Sequence, residues 1–192
     1  MVLALWRCSK FKMKKVEMYV DLSSSDTGLT FLDVDKNEVY LFSVQSKKFS
    51  QEKDKNQRAL LKIKDIDDKI DSVIRDFGFD ISSVFTESPF CSKKFLNSSE
   101  MVLKMHGYIL HKFSHLPFSF ITPAKIKQVV AGRGNATKED VIISIRNYGF
   151  DLDINGKPND NVYDSFAVLL SFYINNKKSF KDLQVIVKQI TK

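Results

Sequence analysis

Four carboxylates, Asp21, Glu87, Asp160 and Asp164, carry the first chemical hint in this sequence. Asp21 and Glu87 each close a segment that reads as a β-strand. Asp160 and Asp164 stand four apart near the start of a predicted helix, so they share one of its faces. In α/β sheets the carboxyl ends of strands are favoured places for sites. Acids gathered there repel one another, and some take up protons unless a cation joins them. Mg²⁺ suits such a set because it accepts a few carboxylate oxygens and keeps positions open for water and phosphate. Two such ions about 4 Å apart activate an attacking water and stabilise the leaving oxygen in phosphodiester cleavage. Each acid alone also has an ordinary role: Asp21 as the cap of the following turn, Glu87 as a solvated strand end, Asp160 as an N-cap. Their joint placement is what points to a metal centre.

The elements that must position these acids follow from periodicity. Val16–Asp21 has the β-branched and aromatic content of a buried strand, and the polar run from Leu22 to Gly28 reads as a turn. Leu29–Asp33 and Glu38–Val44 read as two more strands around Asp35-Lys36-Asn37, making an antiparallel meander. Between Gln57 and Phe77, apolar residues such as Ile63, Ile66, Ile70, Val73 and Ile74 recur at helical spacing. Ile81–Thr86 is a further strand, closed by Glu87-Ser88-Pro89. Helices are predicted from Ser98/Ser99 to about His115 and over Ala124–Val130, Lys138–Tyr148 and Asp160–Ile174, with a strand at Phe118–Thr122. Phe180–Ile190 reads as a last helix, although its valines suit a strand as well. The order predicts one α/β domain over residues 13–192, with a mixed five-stranded sheet (three antiparallel strands, then two parallel) flanked by helices. Residues 1–12 read as a flexible basic N-terminal extension, or as sequence upstream of a start at Met13.

Bulk properties agree with a nucleic-acid partner. The 192 residues carry a formal net charge of +7 and a pI near 9.3, a balance that favours polyanions. The 16 phenylalanines predict an aromatic-rich core. The cysteines, Cys8 and Cys91, have no disulfide-framework or metal-ligand spacing, which fits a reducing intracellular compartment. No segment approaches the ~20 apolar residues of a membrane span, and the apolar start lacks the marks of a signal peptide.

A second constellation, Lys125-Ile126-Lys127-Gln128-Val129-Val130-Ala131-Gly132-Arg133-Gly134-Asn135-Ala136-Thr137-Lys138, narrows the reading. It resembles the RuvC family of junction resolvases, whose pattern is V-K-x-x-x-x-G-x-G-x-A-x-K; here Ile126 replaces the leading valine. Other places are similar to the family in the same order. Asp21 is followed by Thr27-Gly28, Glu87 by Phe90, and the acid-rich helix start Asp160-Asn161-Val162-Tyr163-Asp164 by Ser165-Phe166-Ala167. The likeness spans residues 16–174.

The resemblance implies an RNase H-like fold and a homodimer that cuts four-way DNA junctions with Mg²⁺, Mn²⁺ substituting and two ions bound. Asp21, Glu87 and Asp164 would be metal ligands and catalytic acids, with Phe90 stacking on unpaired bases near the junction centre. Lys127, Arg133 and Lys138 would meet phosphates, and Gly132 and Gly134 would allow close backbone approach to DNA or a tight turn between helices. The pattern departs twice. Leu22-Ser23 stand where the family has Pro-Gly, and Asn161 stands where it has a second aspartate. Asp160 resembles the aspartate that poxvirus-type resolvases carry four residues before the last one, and is the expected fourth ligand; Asn161 is the neutral alternative. The competing functions are an RNase H-like nuclease acting on other nucleic acid and a non-catalytic junction-binding protein. Abundant Lys, Asn, Ile and Phe fit an AT-rich genome, as in a phage or viral member.

Overall fold

The computed structural model describes residues 13–23, 25–89, 96–153, 157–176 and 178–187. The expected extension at 1–12, both cysteines and Phe90 lie outside the described residues. Strands β1 (Lys14–Asp21), β2 (Asp26–Asp33) and β3 (Glu38–Gln45) form the antiparallel meander. Helix α1 (Lys55–Phe77) leads to β4 (Phe79–Glu87), parallel to β1, and α2 (Leu96–Lys112) leads to β5 (Phe118–Ile121), parallel to β4. Helices α3 (Pro123–Ala131), α4 (Lys138–Asn147) and α5 (Asp160–Asn175) follow, and the described chain ends with β6 (Gln184–Val187).

The sheet order is β5-β4-β1-β2-β3-β6, so it has six strands and not the expected five. The last segment is correspondingly not the helix read from Phe180–Ile190. Gln184–Val187 pairs in parallel with Glu38–Leu41, the free edge of β3. Its Val185, Ile186 and Val187 are β-branched, and an open edge supplies the backbone partners that such residues favour.

Side chains alternate across the sheet and give each face its own core. Tyr19, Leu32, Val39 and Leu41 face α3, α4 and α5; Val16, Met18, Val20, Phe31 and Phe42 face α1 and α2. The second core holds much of the aromatic excess: Phe31 stacks on Phe79 at 4.7 Å between centroids, and Phe77 stacks on Phe79 at 5.7 Å. Helix α1 is delimited locally. The Asp54 side chain accepts from the Gln57 N–H at 2.7 Å, and Gly78 ends the helix at φ 64°, a conformation with little cost for glycine.

Helix α5 is the central helix. It is buried on nearly all sides from Val162 to Tyr173, between the sheet and the α3–α4 pair. Its first turn comes unusually close to the sheet. A Cβ on Gly28 would overlap the Asn161 carbonyl and stand 3.0 Å from the Ser165 Cβ, so only glycine admits this approach. The Ser165 and Thr30 hydroxyls, 2.9 Å apart, join the two elements just beyond it. Gly28 pairs with Asp21 in the β1–β2 register, which sets the start of α5 over the end of β1.

Candidate active site

Asp21 ends β1 on the same face as Tyr19, and Glu87 ends β4 on the same face as Phe85; both therefore point toward α5. Asp164 comes down from α5, one turn beyond the close approach at Gly28. These three acids meet around a single cavity of about 290 Å³. Lys127 from α3 and Lys138 from the start of α4 share its lining, while Ile126, Val141 and Ala167 make its apolar wall.

The backbone around the acids is pinned by short hydrogen bonds. The Thr86 hydroxyl donates to the Val20 carbonyl at 3.0 Å, linking the residues just before Glu87 and Asp21. The Ser88 N–H donates to the Ile121 carbonyl at 2.7 Å, tying the exit of β4 to β5. On the opposite face of the sheet, His106 Nε2 lies 2.9 Å from the Glu87 carbonyl oxygen. Nothing in the sequence pattern marked Thr86 or His106. A threonine in a strand and a lone histidine among apolar helix residues both read as ordinary core.

Electrostatics make the three acids one unit. Burial, then the charges of Asp164 and Glu87, push Asp21 up to about 8. Burial and the charge of Asp164 push Glu87 up to about 7, against the pull of Lys127 and Lys138. Burial raises Asp164 too, opposed by its bond to Lys138, whose Nζ stands 2.6 Å from Asp164 Oδ2. Lys138 stays firmly charged: burial disfavours its charge, but Asp164, Asp160 and Asp21 outweigh that.

The donor set fits a hard divalent cation. It is all carboxylate oxygen, in a partly apolar cavity, with acids that cannot all ionise comfortably without a counter-charge. Among the described residues no three acids, histidines or cysteines close around one point as a finished cage. Asp21, Glu87 and Asp164 meet as electrostatic neighbours across the cavity. Asp160 is outside its lining, with a side chain 58% exposed and 3.8 Å from Lys138. Asn161 presses its carbonyl against Gly28.

The lysine–glycine block folds into a tight turn between two helices. Gly132 ends α3 at φ 78°, and a Cβ on Gly134 would stand 3.2 Å from the Ala124 carbonyl oxygen. Ala136 is buried, and the Thr137 side chain caps α4 in a reciprocal box with Asp140. This turn sets Lys138 on the first residue of α4, facing Asp164. Arg133 leans on Asp140 at 2.6 Å and stays at the surface, apart from the cavity. A wider cleft continues from Glu87 and Lys127 past Ser88 and Pro89 to Gly134.

Comparison with known proteins bears on the same span. The family model described as crossover junction endodeoxyribonuclease RuvC matches residues 18–172. Among solved structures, the chain is similar to T. thermophilus RuvC in complex with a Holliday junction substrate, with 20% identity and a TM-score of 0.58 over 84% of this chain and 94% of that one. A Thermus thermophilus RuvC structure gives 20% identity and a TM-score of 0.56, over 84% of this chain and 95% of that one. No curated protein sequence matches the chain. The matched span contains both strand-end acids, Asp164 and the whole lysine–glycine block, and the chain belongs to the RuvC family of crossover junction endodeoxyribonucleases.

Proposed function

We propose that this protein resolves four-way (Holliday) or branched DNA junctions as a structure-selective endonuclease, by Mg²⁺-dependent phosphodiester hydrolysis. The observation that carries the reading is the cavity where Asp21, Glu87 and Asp164 face one another with Lys127 and Lys138 at their side. Asp21, Glu87 and Asp164 would hold the metal, with Asp160 contributing from the rim. Bound Mg²⁺, or Mn²⁺ in its place and most simply as two ions, would make the attacking water acidic and stabilise the leaving oxygen. Among the described residues no carboxylate pairs with Lys127, which lines the cavity and lowers Glu87 by its charge alone; this suits it to a phosphate oxygen of the cut strand. Lys138 balances Asp164 and sits where an incoming phosphate meets the acids. Arg133, Gly132 and Gly134 at the helix turn would meet the backbone of an adjoining arm, and Phe90 would stack on bases at the junction centre.

A junction offers equivalent strands to be cut in opposed pairs, so the reading takes a homodimer as the working unit. No helix among the described residues is long and apolar enough to cross a membrane, and a reducing intracellular compartment, such as that of a phage-infected host, fits the proposed substrate. The test is cleavage of a synthetic four-way junction in Mg²⁺ beside linear duplex of the same sequence. Paired nicks in opposed strands of the junction, with the duplex intact, are expected. Equal cutting of both substrates would overturn the reading. Binding without any cutting would turn it into a junction-binding role.

A further inference from the structure

Glu87 is held differently from the other acids. Asp21 ends a strand whose ladder runs to it on the β2 side, and Asp164 lies within a continuous helix. The β1–β4 ladder stops at Val20–Thr86, so Glu87 lies just past it, with sheet pairing from the β5 side alone. The chain leaves the sheet immediately afterwards. At that point the Glu87 carbonyl meets His106 Nε2 at 2.9 Å, from α2 on the far face.

His106 is only 7% exposed, between the buried Met105 and Ile109 of the same helix. Met105 and Ile109 of α2, with Phe113 just after it, supply the apolar packing of this helix against the sheet. A buried imidazole is costly unless its ring nitrogens are bonded. Both neighbours are carbonyl oxygens, which only accept, so a neutral ring donates to one of them. Nδ1 lies 2.9 Å from the Val102 carbonyl of its own helix, and in the Nε2–H tautomer the ring donates across, at 2.9 Å, to the carbonyl of the peptide group that begins at Glu87. That peptide group is planar, so fixing its oxygen fixes the backbone direction from which the Glu87 side chain departs.

We infer that His106 is a positioning residue for the nuclease site: from α2 it locks the Glu87 peptide and so aims the carboxylate at Asp21 and Asp164. This rests on the metal-nuclease reading of that cavity. Partners that orient metal ligands from outside the ligand set typically change metal affinity by about 10- to 100-fold when removed.

The experiment is Mn²⁺ titration by calorimetry on the purified full chain without DNA, repeated as the Mg²⁺ dependence of junction cleavage. His106→Ala should weaken Mn²⁺ binding about tenfold, the low end of that range, while junction affinity without divalent ions stays unchanged. The two amide replacements separate the ring nitrogens. His106→Gln carries a donor near the place of Nε2 and should restore most of the affinity; His106→Asn reaches only toward Val102 and should not. Met105→Ala, which empties a neighbouring part of the core and removes no hydrogen bond to Glu87, should lower thermal stability and leave metal affinity intact. Wild-type Mn²⁺ affinity in His106→Ala would overturn the assignment. So would equal rescue by Asn and Gln, or equal weakening by Met105→Ala. Asp21→Asn run alongside separates the two layers, because retained Mn²⁺ binding there would remove the metal reading itself.

Discussion

The two strand-borne acids and the acidic start of α5 reach the same cavity by different means. Asp21 is placed by its register with β2 and Glu87 by its pairing with β5 together with the His106 contact to its carbonyl, and both are strongly raised by burial. The α5 acids depend on how one helix sits on the sheet. There Gly28 lets the Asn161 carbonyl come down, Asp164 is carried into the cavity, and Asp160 stays exposed beside Lys138. A ladder-paired acid such as Asp21 is therefore tolerant of small shifts in its neighbours, whereas a helix-borne acid is only as well placed as the contact beneath the helix.

The sharpest way to break this comparison is to remove a strand-end charge and keep its shape. Asp21→Asn or Glu87→Gln should abolish junction cutting while junction binding persists, measured by gel cleavage and gel retardation on the same preparations. Normal cutting by either variant would place the site elsewhere. Next in size is Gly28→Ala, which leaves every acid in the sequence and acts only through α5. Its Cβ meets backbone, so α5 must lift, at a cost on the order of 3 kcal/mol, the upper part of the range for overpacked cores. A fall in melting temperature together with a loss of cutting is expected. A variant that melts and cuts like the parent would show that the close approach is not needed to place Asp164.

Burial of the strand-end acids also predicts a pH dependence with a definite sign. Asp21, raised to about 8, and Glu87, raised to about 7, keep their protons in the folded chain after unfolded carboxyls, near pKa ~4, have lost theirs. The folded state binds more protons across that interval, so these acids favour folding below pH ~4 and lose that contribution as pH rises toward 8. Without divalent ions, Asp21→Asn should flatten the decline in melting temperature between pH 5 and 8 that the parent shows (about the span of the shift). Parallel curves for the two proteins would mean that Asp21 is not buried in this way.

The same contrast explains what was legible from sequence. Strand-end acids follow from alternation that stops on a carboxylate, and the run from β1 to α5 was readable because its apolar periods are long. The sixth strand was not, since Val185, Ile186 and Val187 suit either structure and only the edge of β3 decides between them. Thr27-Gly28 was visible as a motif, but its cause, a helix backbone pressed on the glycine, belongs to tertiary packing. The lysine–glycine block pointed to the family, yet left open whether its glycines serve DNA or a turn. They form the turn that delivers Lys138 to Asp164. His106 carried no signal because its partner is a backbone carbonyl, which sequence does not distinguish.

A smaller effect separates the two lysines. Lys127→Ala should reduce the slope of log affinity against log salt by about 1, the share of one released counterion, and weaken binding evenly across junction sequences. An unchanged slope would argue against a phosphate contact.

The smallest expected effect concerns the ambiguous start of α5. Asp160 is exposed and acts on the cavity through Lys138, which it approaches at 3.8 Å while Asp164 holds the same ammonium at 2.6 Å. Asp160→Asn should therefore raise the Mg²⁺ concentration for half-maximal cutting by roughly two- to fivefold, the scale of an exposed charge pair. Asn161→Ala keeps the carbonyl that rests on Gly28 and should leave the Mg²⁺ requirement where it was. The reverse order would make Asn161 the ligand that completes the site. A combined Gly28→Ala and Asn161→Ala protein would then show a loss that departs from the sum of the two single changes.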